Sequence, residues 1–148
     1  MKAKIIISEI THDDLVDLFS TALCGNYSWS ADYDSKFYHE KCDAKEGDCY
    51  EDVLAKCLLN GGTIEIGDRN AEDASDVYGN NKRVYWDDEQ EIMIYPITLK
   101  DIKKGLEKAY ENGQAERVNW LINEPIQMDM IDADVLLQYI VYGEVIYG

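Results

Sequence analysis

Five stretches of the chain carry apolar residues at intervals of three and four positions, the spacing of an amphipathic helix with one buried face. The pattern predicts helices over residues 11–25, 49–62, 98–113, 114–123 and 132–143. Their lengths are those of ordinary globular helices, and the apolar stripes provide enough surface for a common core.

Capping residues mark the ends of several predicted helices. Thr11 and Thr98 each precede an apolar repeat and are each followed three positions later by an aspartate, the pattern of a capping box. Asp132 is the predicted N-cap of the last helix. Gly25 and Gly113 are the predicted ends of the first and third helices, because glycine ends a helix readily.

Alternating and short continuous apolar runs predict strands at residues 2–8 and 63–68, and a strand or hairpin over 83–97. Residues 26–48 mix aromatic and charged side chains without a sustained period, so we predict a long structured loop with short strands. Residues 144–148 are predicted as a strand or an extended tail. This order predicts one α+β domain over the whole chain, with about five helices and a small mixed sheet.

Charge narrows the range of partners. The chain carries 30 Asp and Glu against 14 Lys and Arg, a net charge of −16, which repels nucleic acid and anionic membranes and attracts basic surfaces. The N-terminal apolar run at residues 5–7 is too short for a signal peptide, and no run of about 18 apolar residues could span a membrane. We therefore predict a cytoplasmic protein with reduced cysteines that binds neither nucleic acid nor a membrane.

The segment "YHEKCDAKEGDCYEDVLAKC" raises the question of a metal or redox site, because it holds His39, Cys42, Cys49 and Cys57. Only His39 and Cys42 have the close spacing of a zinc-ligand pair. Cys57 falls on the predicted inner face of its helix, where a small apolar side chain belongs. Acidic neighbours of Cys49 disfavour the thiolate that a catalytic cysteine needs. We predict ordinary packing, no metal and no cofactor, with a zinc site and a catalytic cysteine as alternatives.

The acids concentrate in two segments. Residues 31–52 hold eight acids and three lysines, and residues 65–91 hold nine acids and three basic residues. If "YWDDEQEIM" forms a strand, Asp87, Glu89 and Glu91 point to one face about 6.6–6.8 Å apart. Such a row resembles the phosphates along a DNA strand and would pair with a partner's Arg and Lys. The alternative is a solvated edge whose charges prevent aggregation.

The predicted partner-binding residues combine acids with aromatic side chains. Tyr and Trp are enriched at interface hot spots, although the same side chains can anchor a loop to the core. The predicted set is Asp87, Asp88, Glu89, Glu91, Glu72, Asp73, Asp76, Trp29 and Tyr33. One helix carries the predicted basic face, which is the candidate site for an anionic nucleotide: Lys100, Lys103, Lys104 and Lys108.

The whole chain resembles small acidic proteins of Firmicutes prophages and mobile elements, through the segments "YEDVLAKCLLNGGTIEI", "ITLKDIKKGLEKAYENG" and "DADVLLQYIVYGEVIYG". That group brings no catalytic residues to this chain. By analogy of class, acidic phage proteins of this size include inhibitors of restriction and CRISPR nucleases, several of which resemble DNA in charge. The resemblance implies an anti-defence protein that acts in the cytoplasm of a bacterial host.

The leading hypothesis is an inhibitor that occupies the basic nucleic-acid-binding surface of a bacterial nuclease or another nucleic-acid-binding protein. The alternative is a protein that binds a signalling nucleotide, another small molecule or a metal without catalysis. A structural interaction module remains open, whereas an enzyme is disfavoured because no phosphate-loop, dinucleotide or nucleophile-elbow motif occurs. The apolar segment 135–148 packs either within the fold or across a homodimer, and its periodicity does not distinguish the two.

Overall fold

The computed structural model describes residues 9–24, 27–79 and 83–148. Helices and strands alternate irregularly along these residues, and the predicted α+β class is confirmed. The elements are α1 His12–Leu23, β1 Trp29–Tyr33, α2 Ser35–Lys41, α3 Tyr50–Leu59, β2 Ile64–Asp68, β3 Tyr85–Asp87, β4 Ile92–Ile97, α4 Leu99–Ala109, α5 Ala115–Asn123 and α6 Met130–Tyr142.

Within the described residues, four strands form one sheet in the order β1-β2-β4-β3. β3 and β4 form a hairpin, one of the two alternatives for residues 83–97. A mixed sheet was predicted, whereas every pairing between the described strands is antiparallel. The predicted strand at residues 2–8 and the predicted stop at Gly25 lie outside the described residues.

One face of the sheet packs against the helices and carries the core. Ile64 and Ile66 of β2 and Tyr95 of β4 are fully buried on this face. Leu18 and Phe19 of α1 are fully buried in the same cluster of apolar side chains, as the helical spacing predicts. The opposite face of the sheet carries the residues that alternate with the core residues along each strand, including Asp32 and Glu65.

Residues 27–48 are more regular than predicted, because they contain β1 and α2. Asp34 caps α2, since its carboxylate accepts hydrogen bonds from the backbone N–H groups of Lys36 and Phe37 at 3.0 and 3.2 Å. Tyr38 is buried and ties α2 to the core. A seven-residue helix completes two turns, which is too short for a periodic apolar pattern to be recognised.

The predicted N-caps Thr11 and Thr98 are confirmed, whereas the predicted N-cap of the last helix is not. Thr11 and Thr98 form the capping boxes, and Gly113 turns the chain between α4 and α5 with a φ of 91°. Asp129 caps α6, so the prediction of Asp132 as N-cap is wrong by three residues. Asp132 is instead the acid of that capping box, because it lies three positions after Asp129.

The C-terminal residues form an extended tail held against α6. Gln138 is 1% exposed, and its Oε1 accepts hydrogen bonds from the backbone N–H groups of Ile146 and Tyr147, both at 2.9 Å. Its Nε2 donates to the Tyr147 carbonyl at 3.1 Å. The Tyr147 hydroxyl donates to the buried Asp68 carboxylate at 3.1 Å. The tail therefore packs within the fold, and the homodimer stays a prediction.

Candidate functional site

Of the four candidate ligands, Cys42 and Cys57 lie close to each other, whereas His39 and Cys49 contact other side chains. His39 is exposed, and its ring packs against Tyr38 with centroids 5.0 Å apart. Burial, followed by the neighbouring Cys42 thiol, raises the pKa of Cys57 to about 12. Among the described residues, no group of three or more His, Cys, Asp and Glu side chains is arranged to hold a metal ion. Cys57 is a small buried core residue, as its helical position predicts.

Cys49 contacts a carboxylate and not an imidazole. Its Sγ donates to Asp52 Oδ2 at 3.0 Å, and Asp52 Oδ1 lies 2.8 Å from His12 Nε2. The carboxylate thus separates the thiol from the histidine. The hydrogen bond to Asp52 raises the pKa of Cys49, because the negative charge disfavours a thiolate. This geometry disfavours a cysteine nucleophile at this position.

Asp48 closes the turn between α2 and α3. Its Oδ2 accepts hydrogen bonds from Lys56 Nζ at 2.6 Å and from the Lys45 backbone at 3.1 Å, and also from the Tyr38 hydroxyl. These bonds, led by the one from Lys56, lower the pKa of Asp48 to about 2. This acid of the first acidic segment therefore stabilises the fold and offers little to a partner.

The residues predicted as an acidic row lie in a tight turn. β3 ends at Asp87, whose carboxylate accepts hydrogen bonds from the backbone N–H groups of Gln90 and Glu89 at 3.1 and 3.0 Å. These bonds, led by those from Gln90, lower the pKa of Asp87. Glu91 has a φ of 55°, which is not extended backbone. The predicted row is wrong, because alternate residues share a face only along an extended strand.

The turn nevertheless presents negative charge to solvent. The side chains of Asp88, Glu89 and Glu91 are exposed, and none of the three accepts a hydrogen bond within the part of the chain that the structure describes. We call these three residues the acidic turn. Their charges follow a bend and not a line, so their spacing differs from that of a strand.

The three predicted loop acids lie in residues 69–79. Asp76 is half-buried, and its Oδ2 accepts from the backbone N–H groups of Glu72 and Asp73 at 2.7 and 3.3 Å. Asp73 accepts hydrogen bonds from the hydroxyl and backbone N–H of Ser75, which lower the pKa of Asp73. Asp73 and Asp76 thus shape the loop. Glu72 and Asp73 are exposed.

The two predicted aromatic hot spots have different environments. Trp29 is 3% exposed, and its Nε1 donates to Asp134 Oδ1 at 2.6 Å. It therefore anchors β1 to α6, the core role that the sequence left open, and it is not available to a partner. Tyr33 is half-buried and packs edge-on against Tyr38 and Tyr50 at 5.9 and 5.6 Å.

The sheet face opposite the core carries a group of acids that the sequence did not reveal. Asp32 on β1 lies directly opposite Glu65 on β2, and β3 places Tyr85 and Asp87 on the same face. The Tyr85 hydroxyl donates to the Glu65 carboxylate. This hydrogen bond is the main reason why the pKa of Tyr85 is raised to about 12. The negative charges of Asp87 and Asp32 raise it further. We call these four residues the acidic face.

A cleft of about 670 Å³ opens beside the acidic face. Three aromatic rings and two carboxylates line it, together with one arginine, Arg83. We call it the acidic cleft, and its lining residues are Tyr33, Asp34, Phe37, Gly62, Thr63, Glu65, Arg83, Tyr85 and Pro96. Its size lies within the range of small-ligand sites.

A second cleft, of about 350 Å³, lies between α4 and the C-terminal end of α6. Lys104, Lys108 and Arg83 contribute positive charge, and Asp101 contributes one carboxylate. We call it the basic cleft. Of the predicted basic face, only Lys104 and Lys108 line this cleft, so the structure divides the four lysines.

Comparison of the chain with protein-family models, with curated proteins and with solved structures finds no match. In residues 9–24, 27–79 and 83–148, no helix is both long and apolar enough to cross a bilayer. The assignment of function therefore rests on the chemistry of the acidic turn, the acidic face and the two clefts.

Proposed function

We propose that this protein is an inhibitor, encoded by a phage or mobile element, that occupies the basic nucleic-acid-binding surface of a bacterial defence protein. The distribution of its acids carries the proposal. All 30 acids lie in the described residues, and only Asp14, Asp68 and Asp132 are buried. A surface with this excess of carboxylates attracts proteins whose own surfaces bind phosphates.

The acidic face adds an energetic argument. Like charges directly opposite each other on neighbouring strands destabilise a sheet by roughly 0.2–1 kcal/mol, and Asp32 and Glu65 are such a pair. A role in binding would account for an arrangement that folding alone disfavours. The acidic turn connects β3 to β4 in the same sheet, so one sheet holds both sets of acids.

We expect the double substitution Asp88→Lys with Glu89→Lys to weaken binding to the partner at least about tenfold, which is about 1.4 kcal/mol. Both side chains are exposed and form no hydrogen bond in the described residues, so the fold should be unchanged. Asp87 is left intact because its carboxylate holds the turn. The partner, captured from a bacterial lysate at low salt and identified by mass spectrometry, is then purified and titrated.

The titration is repeated at several salt concentrations and with the partner's nucleic acid as competitor. Affinity should fall steeply as salt screens the charges, and the protein should displace the nucleic acid. Glu111→Lys with Glu124→Lys is the matched control, because it makes the same charge change at two exposed positions outside the sheet. Equal losses in the two double variants, or simultaneous binding of protein and nucleic acid, would contradict charge mimicry by the turn.

The basic cleft favours a second candidate function, the binding of an anionic small molecule such as a signalling nucleotide. Lys104 and Lys108 line this cleft, together with Arg83, on a protein with a net charge of −16. A purely structural role for Lys108 competes with this idea, because Lys108 Nζ would lie 3.1 Å from a Cβ placed at Gly143, the C-cap of α6. A cation there neutralises the negative end of the helix dipole.

Thermal unfolding separates the two roles of the basic cleft. A nucleotide that binds should stabilise the protein by about 1.4 kcal/mol at ten times its Kd, and more at higher concentration. Lys104→Ala should remove that stabilisation, whereas Lys36→Ala, at another exposed lysine, should retain it. If no tested nucleotide raises the melting temperature and Lys108→Ala is less stable than the original, Lys108 has only the structural role.

A further inference from the structure

We propose that the acidic cleft binds the guanidinium group of an arginine side chain presented by the protein's partner. This inference rests on the proposed function, since it assigns one pocket to a basic partner of the kind already described. Its observations are independent of the acidic turn: a cavity of about 670 Å³, three aromatic walls and a pair of carboxylates.

The charge of the cleft favours a cation. Its lining contains Asp34 and Glu65 against Arg83, and Asp32 and Asp87 lie near enough to Tyr85 to act on its hydroxyl. The Glu65 carboxylate accepts one hydrogen bond from Tyr85 and retains further acceptor positions, because an ionised carboxylate has about four. Because Glu65 lines the cleft, a donor that enters the cleft can reach this carboxylate.

The aromatic walls favour a planar cation. Tyr33, Phe37 and Tyr85 line the same space, and a cation over a ring face is attracted by the ring's quadrupole. A guanidinium can stack on a ring and donate two parallel hydrogen bonds to a carboxylate at the same time, whereas an ammonium acts as a point charge. The combination of rings with Glu65 therefore selects arginine over lysine.

The cleft is formed before any partner binds. Tyr33 is held edge-on against Tyr38 and Tyr50. Phe37 lies against Gly62, where an added Cβ would be 2.9 Å from Phe37 Cδ1, so glycine is what allows this ring to sit there. Preformed walls reduce the entropy that binding would otherwise cost.

A nuclear magnetic resonance titration tests the assignment with an acetylated pentapeptide containing one arginine. We expect saturable shifts at the backbone amides of Phe37, Gly62 and Tyr85. The same peptide with citrulline, which has the shape of arginine without its charge, should bind at least about tenfold more weakly. Glu65→Gln should weaken binding of the arginine peptide about fivefold, and Glu124→Gln, an equal charge change at an exposed residue outside the cleft, should leave it unchanged.

Equal binding of the arginine and citrulline peptides, or equal weakening by Glu65→Gln and Glu124→Gln, would overturn the proposal. Free spermidine is titrated in parallel, and tighter binding of spermidine than of the arginine peptide would instead assign the cleft to a small polycation. The test of the arginine pocket can fail while the proposed inhibitor function holds. Partner binding that is lost in Asp88→Lys with Glu89→Lys but unaffected by Glu65→Gln would retain the inhibitor and reject the arginine pocket.

Discussion

Replacement of Gly105 by alanine is expected to lower the free energy of unfolding by roughly 2–3 kcal/mol, although the same change raises the intrinsic helix propensity of α4 by about 1 kcal/mol. Gly105 lies where α4 packs against α6, and an added Cβ would lie 2.7 Å from the backbone nitrogen of Ile140. Because the obstructing atoms belong to a helix backbone, the two helices must separate to admit one methyl group. Thermal unfolding should show a melting temperature lower by about 5–10 °C.

Gly47→Ala is the matched control for this variant. No atom lies within 4 Å of a Cβ placed at Gly47, so we expect its stability to stay within about 0.5 kcal/mol of the original. A Gly105→Ala variant that is as stable as the unchanged protein would contradict the close approach of α4 and α6.

Replacement of Gln138 by leucine is expected to cost about 2–4 kcal/mol and to release the C-terminal tail. The substitution removes the acceptor for the backbone N–H groups of Ile146 and Tyr147 and the donor to the Tyr147 carbonyl. Buried polar groups that lose their partners cost about 1–3 kcal/mol each unless water reaches them. Denaturant unfolding measures the loss, and hydrogen exchange should show faster exchange of the Ile146 and Tyr147 amides.

Gln127→Leu provides the comparison, because Gln127 is exposed and its side chain makes no hydrogen bond in the described residues. That variant should differ from the original by no more than about 0.5 kcal/mol. The prediction would be wrong if Gln138→Leu changed the free energy of unfolding as little as Gln127→Leu and the Ile146 and Tyr147 amides stayed protected. Apolar packing would then hold the tail without Gln138.

Part of the protein's negative charge belongs to side chains that stabilise the fold. Asp14, Asp101 and Asp132 complete capping boxes at the starts of three helices, and Asp87 forms the hairpin turn. These acids stabilise the fold, so charge reversal at any of them would confuse unfolding with lost binding. The acidic turn is the informative target because its three side chains carry charge without a structural hydrogen bond.

Local patterns were sufficient for most of the secondary structure. The helix over residues 98–113 combines a capping pair, an apolar stripe and a terminal glycine, all within one segment, and the structure places α4 there. The helix over 49–62 and the strand over 63–68 were equally clear. The patterns did not predict short elements such as α2. They also did not predict the turn that follows Asp87, where the backbone is no longer extended at Glu91.

Sequence patterns predict only part of the candidate site. Exposed acids at Asp88, Glu89 and Glu91 follow from a polar segment between two apolar runs, whatever its backbone conformation. Trp29 was ambiguous, because a tryptophan in an irregular segment either anchors that segment or faces a partner. Its hydrogen bond to Asp134, 105 residues away, decides for the core.

Periodicity, capping and charge belong to neighbouring residues, so the sequence alone predicts the α+β class, the five longer helices and the excess of acids. Tertiary structure alone decided that Asp32 faces Glu65 and that rings from β1, α2 and β3 enclose one cleft. The tertiary structure also shows that Gly105 is required where α4 approaches α6, and that Gln138 is buried within an apolar run. These outcomes depend on strand register and helix crossing, which join residues far apart in the chain and leave no local pattern.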